Sequence, residues 1–143
     1  MPRVSIDPQG LLVGGRRCWI VGAALEYSLL DPRLWSRSLS LLRQTGFNTV
    51  RTSVPWSLHE RRRAKPDFEG SLDLRAFVEL AIEQGLWVIV RLGPVVGGTF
   101  SGGGLPAWLS EIDGLRLREP QDEFLRLVSR WFDTVLSQLK GLA

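Results

Sequence analysis

A chain of 143 residues is long enough for one domain with its own core, and 44% apolar with 23% charged side chains is ordinary for a globular protein. The formal charge of +3 comes almost wholly from arginine, because lysine occurs only at positions 65 and 140. A lone cysteine, Cys18, excludes an intrachain disulfide, and a lone histidine, His59, excludes a multi-histidine metal site.

The first elements in chain order are short. Val4-Ser5-Ile6 and Leu11-Leu12-Val13, joined by Asp7-Pro8-Gln9-Gly10 and closed by Gly14-Gly15, read as a β-hairpin. Cys18 to Leu25 is expected to be the first core strand, with Glu26 and Tyr27 at its carboxyl end. Asp31-Pro32 supplies an N-cap and a proline at the first helical position. The helix that follows has an apolar face of Leu34, Trp35, Leu39, Leu41 and Leu42 and closes at Gly46. Asn48 to Val54 is the second strand, ended by Pro55-Trp56. A polar loop with His59, Glu60 and Arg61-Arg62-Arg63 leads to a helix capped by Asp73, with Phe77, Val78, Ala81 and Ile82 inward and Gly85 at its end.

Leu86-Trp87-Val88-Ile89-Val90 is an apolar, partly β-branched run, the pattern of a strand buried on both faces of a parallel sheet. Gly93-Pro94 stops it, and a loop containing Gly97, Gly98, Gly102, Gly103 and Gly104 follows, expected to be long and mobile. Pro106 to Ser110 reads as a helical turn. From about Pro120 to Lys140 the residues Phe124, Val128, Trp131, Val135 and Leu139 fall on one helical stripe. Strands alternating with helices through short connections imply parallel strands and right-handed crossovers. The expected fold is therefore α/β: a hairpin, then about three β-α units of a partial (β/α) barrel. A closed barrel needs eight units and about 250 residues, so either another copy completes the sheet or this is the front part of a barrel.

Composition narrows the chemistry further. Six tryptophans and six phenylalanines either fill a core or line a sugar-sized pocket. Arg61-Arg62-Arg63 has no interleaved aromatics and reads as a solvated loop, so no nucleic-acid partner is expected. No G-x-S-x-G elbow accompanies His59, the glycines at 102–104 lack the lysine and hydroxyl of a phosphate loop, and no metal or cofactor is expected. MPRVSIDPQG lacks the apolar core of a signal peptide, and no run approaches a membrane span. A cytoplasmic protein without a membrane partner is the expectation.

Several longer motifs stand together: VGAALEYSLLDPRLW at 21–35, GFNTVRTSVPWSLHE at 46–60, DFEGSLDLRAFVELAIEQGLWVIVRLGP at 67–94, GGLPAWL at 103–109 and LRLRE at 115–119. With these, the chain resembles the N-terminal part of the catalytic barrel of glycoside hydrolase family 35, the β-galactosidases. The resemblance implies that residues 1–143 are the leading segment of a (β/α)8 barrel whose site lies at the carboxyl ends of the strands. It also implies a retaining glycosidase using two glutamates about 5–5.5 Å apart. In the family the acid/base follows the fourth strand in an asparagine-glutamate pair and the nucleophile lies beyond it. This chain ends before that strand, so no catalytic residue is assigned, and the polypeptide alone is not expected to perform the family reaction.

The sugar-contacting positions depart from the family pattern. The family's histidine before the first-strand tyrosine is Glu26, its tyrosine before valine-proline-tryptophan is Ser53, and the asparagine after that tryptophan is Ser57. The family's segment after Gly-Pro is Val95 to Phe100, so a glutamate that binds galactose hydroxyls becomes Thr99. A hydrogen bond to a charged acceptor contributes roughly 1.5–3 kcal/mol against about 1 for a neutral one, so galactose recognition by the usual mode is expected to be lost. The candidate substrate-binding residues are Glu26, Tyr27, Trp56, Thr99 and Phe100. Against this stand plainer roles: Glu26 as partner of Arg51 or Arg91, Tyr27 packed under the loop, Trp56 as support for the site wall. His59-Glu60 reads as bracing for the loop after strand two.

Three functions follow as expectations. The first is the leading piece of a β-galactosidase-like hydrolase with a carbohydrate partner. The second is a non-catalytic carbohydrate-binding or degenerate relative. The third is a fragment without independent function, whose open sheet edge self-associates.

Overall fold

The computed structural model describes residues 3–142. Two sheets share one chain. The first is antiparallel, β1 (Val4–Asp7), β2 (Gly10–Val13) and β3 (Arg16–Cys18). It extends the expected hairpin by one strand, and a bidentate pair of Arg17 with Asp7, at 3.0 and 2.7 Å, ties its outer strands together. The second is parallel, in the order β4 (Gly22–Ala24), β5 (Thr49–Ser53), β6 (Trp87–Arg91).

The first core strand is not the continuous run expected from Cys18 to Leu25. Arg16–Cys18 pairs with the hairpin and Gly22–Ala24 with the parallel sheet, and residues 19–21 between them belong to neither. The cause is Asn48. Its side-chain amide donates to the Trp19 carbonyl at 2.6 Å and accepts from the Val21 N–H at 2.9 Å, while its own N–H donates to the Val21 carbonyl. With these backbone groups occupied, Trp19 swings out to 84% exposure.

The helices form where the punctuation placed them. Asp31 accepts from the Arg33 N–H at 2.9 Å and starts α1 (Pro32–Gln44). One turn, α2 (Trp56–His59), follows β5. Asp73 accepts from the Ala76 N–H at 2.9 Å and starts α3 (Leu74–Glu83). The last helix, α4, spans Asp122–Gln138. Trp35 and Leu39 of α1, Phe77, Val78 and Ala81 of α3, and Phe124, Trp131 and Val135 of α4 join Val50 of β5 and Val54 just after it in one core. Burying each such side chain contributes about 1.5–3 kcal/mol.

All of this packing lies on one face of the parallel sheet. Strand alternation fixes which residues share the other face. Through the registers Gly22↔Thr49↔Trp87, Ala24↔Arg51↔Ile89 and Ser53↔Arg91, that face carries three rows across the strands. No covering layer spans it among the described residues, although Thr49 and Ser53 of the central strand are only 1% and 0% exposed. Trp87 is 40% and Ile89 44% exposed, whereas Val88 and Val90 turn toward the helices. The expectation that β6 is buried on both faces is therefore corrected: its sequence is apolar on both sides, but only one side is packed.

The loop after β6 is not the loose segment its glycines suggest. The Val96 N–H donates to the Gly103 carbonyl at 2.8 Å and the Gly103 N–H to the Phe100 carbonyl at 3.0 Å, closing the loop on itself. Gly104, at φ 87°, lies so close to Val96 and Pro55 that a Cβ would sit 2.6 Å from the Val96 methyl. Glycine here presses the loop onto the end of β5.

Candidate functional site

The carboxyl ends of β4, β5 and β6 bring Glu26, Ser53 and Arg91 into one row. Ser53 and Arg91 are register partners. Leu25 continues the β4 ladder by donating to the Arg51 carbonyl at 2.9 Å, which puts Glu26 level with Ser53. The Glu26 carboxylate then lies over Ser53, one oxygen accepting from the Ser53 N–H at 2.8 Å and the other from its hydroxyl at 3.0 Å. Glu26 forms no ion pair with Arg51 or Arg91, so the arginine-partner reading gives way to this serine clamp.

A carboxylate offers about four acceptor positions, and Ser53 uses two of them. The others belong to a half-buried group on the uncovered face. Arg91, exposed on the far side of Ser53, contributes N–H donors and lies beside Gly97 of the loop. Acceptors at one end of the row and donors at the other suit a ligand with several hydroxyls.

The remaining candidates divide by burial. Thr99 is exposed on the loop, while Phe100 is 7% exposed and turned inward. Tyr27 and Trp56 have no exposed surface, so in this structure neither ring faces a ligand. Tyr27 stacks on Phe77 at 5.4 Å between centroids and meets Trp35 edge-on. Trp56 stacks on Trp131 at 5.6 Å, with Trp108 edge-on to it.

Behind the row lies a buried polar layer. The Tyr27 hydroxyl is 2.6 Å from His59 Nε2, and His59 Nδ1 is 2.8 Å from the Asp67 carbonyl. A carbonyl only accepts, so Nδ1 carries the proton and Nε2 accepts from the tyrosine. Burial holds the imidazole neutral, lowering its pKa to about 4 against a smaller opposing effect of the Asp67 carbonyl. Burial, helped by the charges of Asp73 and Glu26, pushes the Tyr27 hydroxyl well above the usual phenol range, so it stays a donor.

Glu60, 3% exposed, is the second hub. Its carboxylate accepts from Trp56 Nε1 at 2.7 Å, from Arg130 at 2.6 Å and from the Ala64 N–H. Its carbonyl accepts from Trp108 Nε1 at 2.8 Å. His59 and Glu60 thus brace the loop after β5, as their sequence context suggested. Arg130 was not visible as their partner: it is an arginine at the border of the α4 stripe, and nothing local marks a contact across seventy positions.

Comparison with known proteins identifies the family of the chain. The model of the family described as "Glycosyl hydrolases family 35" matches residues 10–143. Over 124 residues the chain is 43% identical to beta-galactosidase-1-like protein 2 of Homo sapiens, covering 87% of this chain and 20% of that protein. It is 33% identical to beta-galactosidase 13 of Arabidopsis thaliana over 137 residues, covering 96% of this chain and 16% of the relative. The chain thus spans a fifth or less of the length of these relatives. Among solved structures, the exo-beta-1,4-mannosidase Op5Man5 from Opitutaceae bacterium strain TAV5 superposes with a TM-score of 0.76 at 24% identity, over 97% of this chain and 26% of that one. That likeness shows a shared fold. With the family model matching nearly the whole length, the chain belongs to glycosyl hydrolases family 35.

Proposed function

We propose that these residues form the first three β-α units of a (β/α)8 catalytic barrel, in a retaining hydrolase of terminal β-linked galactosides or related glycosides. The uncovered face of the parallel sheet is then the barrel interior, and the free edge of β6 is where further strands, or a second copy of the chain, pair. The role of this segment is binding and orientation. Glu26 accepts sugar hydroxyls, Arg91 donates to them, and Thr99 with the loop at 95–104 shapes one wall. Tyr27, Trp56 and Phe100 support that wall from beneath. Proton transfer and nucleophilic attack belong to glutamates beyond these strands, as the family pattern has it.

The observation that carries this reading is the Glu26–Ser53–Arg91 row at the strand carboxyl ends, where barrel enzymes hold their ligands. A test compares hydrolysis of a chromogenic β-galactoside by this chain and by a longer polypeptide supplying the remaining strands. Turnover by the longer form, weakened chiefly in KM by Glu26→Ala, supports the proposal. An active longer form indifferent to Glu26→Ala removes Glu26 from substrate binding.

A second reading has its own support. Glu26, Ser53 and Thr99 replace the family's sugar-contacting residues, which fits a binding protein without turnover. Titration against a glycan panel separates the two: saturable binding with no hydrolysis by the longer form favours the second.

A further inference from the structure

The turn from Arg61 to Asp67 is more rigid than a solvated loop requires. Arg62 and Lys65 face each other as an antiparallel bridge, with the Lys65 N–H donating to the Arg62 carbonyl at 3.1 Å. Ala64 takes φ 60° at the tip, and its N–H is held by the buried Glu60 carboxylate. At the far end the Asp67 N–H donates to the His59 carbonyl at 2.7 Å, and the Asp67 carbonyl accepts from His59 Nδ1. Two buried groups therefore staple a seven-residue turn from below.

What the turn presents is unbalanced. Arg63 is engaged, with its guanidinium 5.8 Å from the Trp108 ring centre and 3.7 Å from Glu123. Arg61, Arg62 and Lys65 instead line a hollow of about 170 Å3 together with Leu58, His59 and Asp67. None of these three cations has an ion-pair partner among the described residues. The Asp67 carboxylate accepts from the Glu69 N–H at 2.9 Å, and His59 is neutral. Three cations against one carboxylate leave the hollow strongly positive.

We propose that this hollow is an anion site for a sulfate ester carried on an acidic polysaccharide. Guanidinium forks match oxyanions with two N–H donors each. A volume of about 170 Å3 equals the liquid share of about six waters, room for one charged substituent. The site therefore takes one group of a larger molecule. Tyr27 packs into the helix-side core against Trp35 and Phe77 and holds His59 there, whereas the Glu26 carboxylate lies over Ser53. The hollow is thus separate from the sugar row, on the outer rim of the same strand ends. That the carrier is a polysaccharide rests on the carbohydrate reading above; that the hollow binds an oxyanion does not.

The test uses the full chain on immobilised dextran sulfate and on neutral dextran, with inorganic sulfate as competitor. Arg62→Gln/Lys65→Gln is compared with Arg37→Gln/Lys140→Gln, which removes the same charge elsewhere. We expect the first variant to lose about tenfold in affinity for dextran sulfate, the second to stay within about twofold of the parent, and inorganic sulfate to compete. Equal losses in the two variants reduce the effect to net charge and overturn the site. An oligonucleotide that binds more tightly than dextran sulfate, through Arg62 and Lys65, overturns the polysaccharide assignment. Loss of sulfate binding with neutral-glycan binding intact removes this inference and leaves the proposed function standing.

Discussion

Replacing Glu60 by glutamine tests whether the carboxylate holds the layer behind the site. Its three side-chain partners, Trp56 Nε1, Arg130 and the Ala64 N–H, are all donors. Glutamine keeps the shape but offers one oxygen, so its amide N–H2 must face a donor in either orientation. With the oxygen toward Arg130 and Ala64, the fully buried Trp56 indole loses its acceptor. A hydrogen bond to a charged group contributes about 1.5–3 kcal/mol, and an orphaned buried donor costs about 1–3 kcal/mol. The expected loss is about 3–5 kcal/mol, a sizeable part of the roughly 7–20 kcal/mol typical of a chain this size. Arg130→Met should cost less, about 1–3 kcal/mol, because the Arg130 side chain is 37% exposed and water screens it. Urea unfolding at pH 7 measures both, with Glu79→Gln in the exposed Arg75–Glu79 pair as a control expected below about 1 kcal/mol. If Glu60→Gln costs no more than that control, the carboxylate does not organise the layer and the reasoning fails.

The other predictions rest on separate features. Gly104→Ala forces a Cβ to 2.6 Å from Val96 at φ 87° and should cost about 2–4 kcal/mol, whereas Gly15→Ala, at φ 75° with open space around it, should cost about 1 kcal/mol; thermal unfolding of the two checks this. His59 titrates near 4 folded against 6.5 unfolded, so the unfolded chain takes up the proton first as pH falls. Its contribution is complete above pH 6.5 and lost on acidification toward pH 4, by about 3 kcal/mol; His59→Gln should flatten the urea midpoint across that range, and an unchanged slope would contradict the assignment. Ile89→Lys places a charge on the uncovered face of β6 and should shift sedimentation toward monomer. A parent chain that is monomeric at every concentration would rule out association through that edge.

Much of the fold was legible because it depends on local punctuation. Asp31-Pro32, Asp73 and Gly85 mark helix ends through caps and positive φ, and the helices lie within a few residues of their expected bounds. What failed was whatever depends on a distant partner. Cys18 to Leu25 reads as one strand until Asn48, more than twenty positions away, takes up the backbone at Trp19 and Val21. Leu86 to Val90 reads as doubly buried because Trp87 and Ile89 are apolar, yet apolarity records the environment a residue suits, not the layers present on these residues. The glycines at 102–104 signal conformational freedom in isolation and close packing in place, and only the position of Val96 decides between them.

The site was half legible for the same reason. Glu26 and Ser53 could each be singled out as departures from the family's histidine and tyrosine, but as two independent losses. The structure joins them. The carboxylate occupies the space directly over Ser53 and uses both its N–H and its hydroxyl. An aromatic ring at position 53 would compete for that volume and would leave Glu26 without the hydroxyl that orients it. Restoring tyrosine at 53 alone should therefore cost stability, because it confronts a half-buried carboxylate with a ring and removes one of its two donors. On that argument Glu26 and Ser53 are one hydrogen-bonded unit, and the stability effects of substitutions at the two positions should be non-additive.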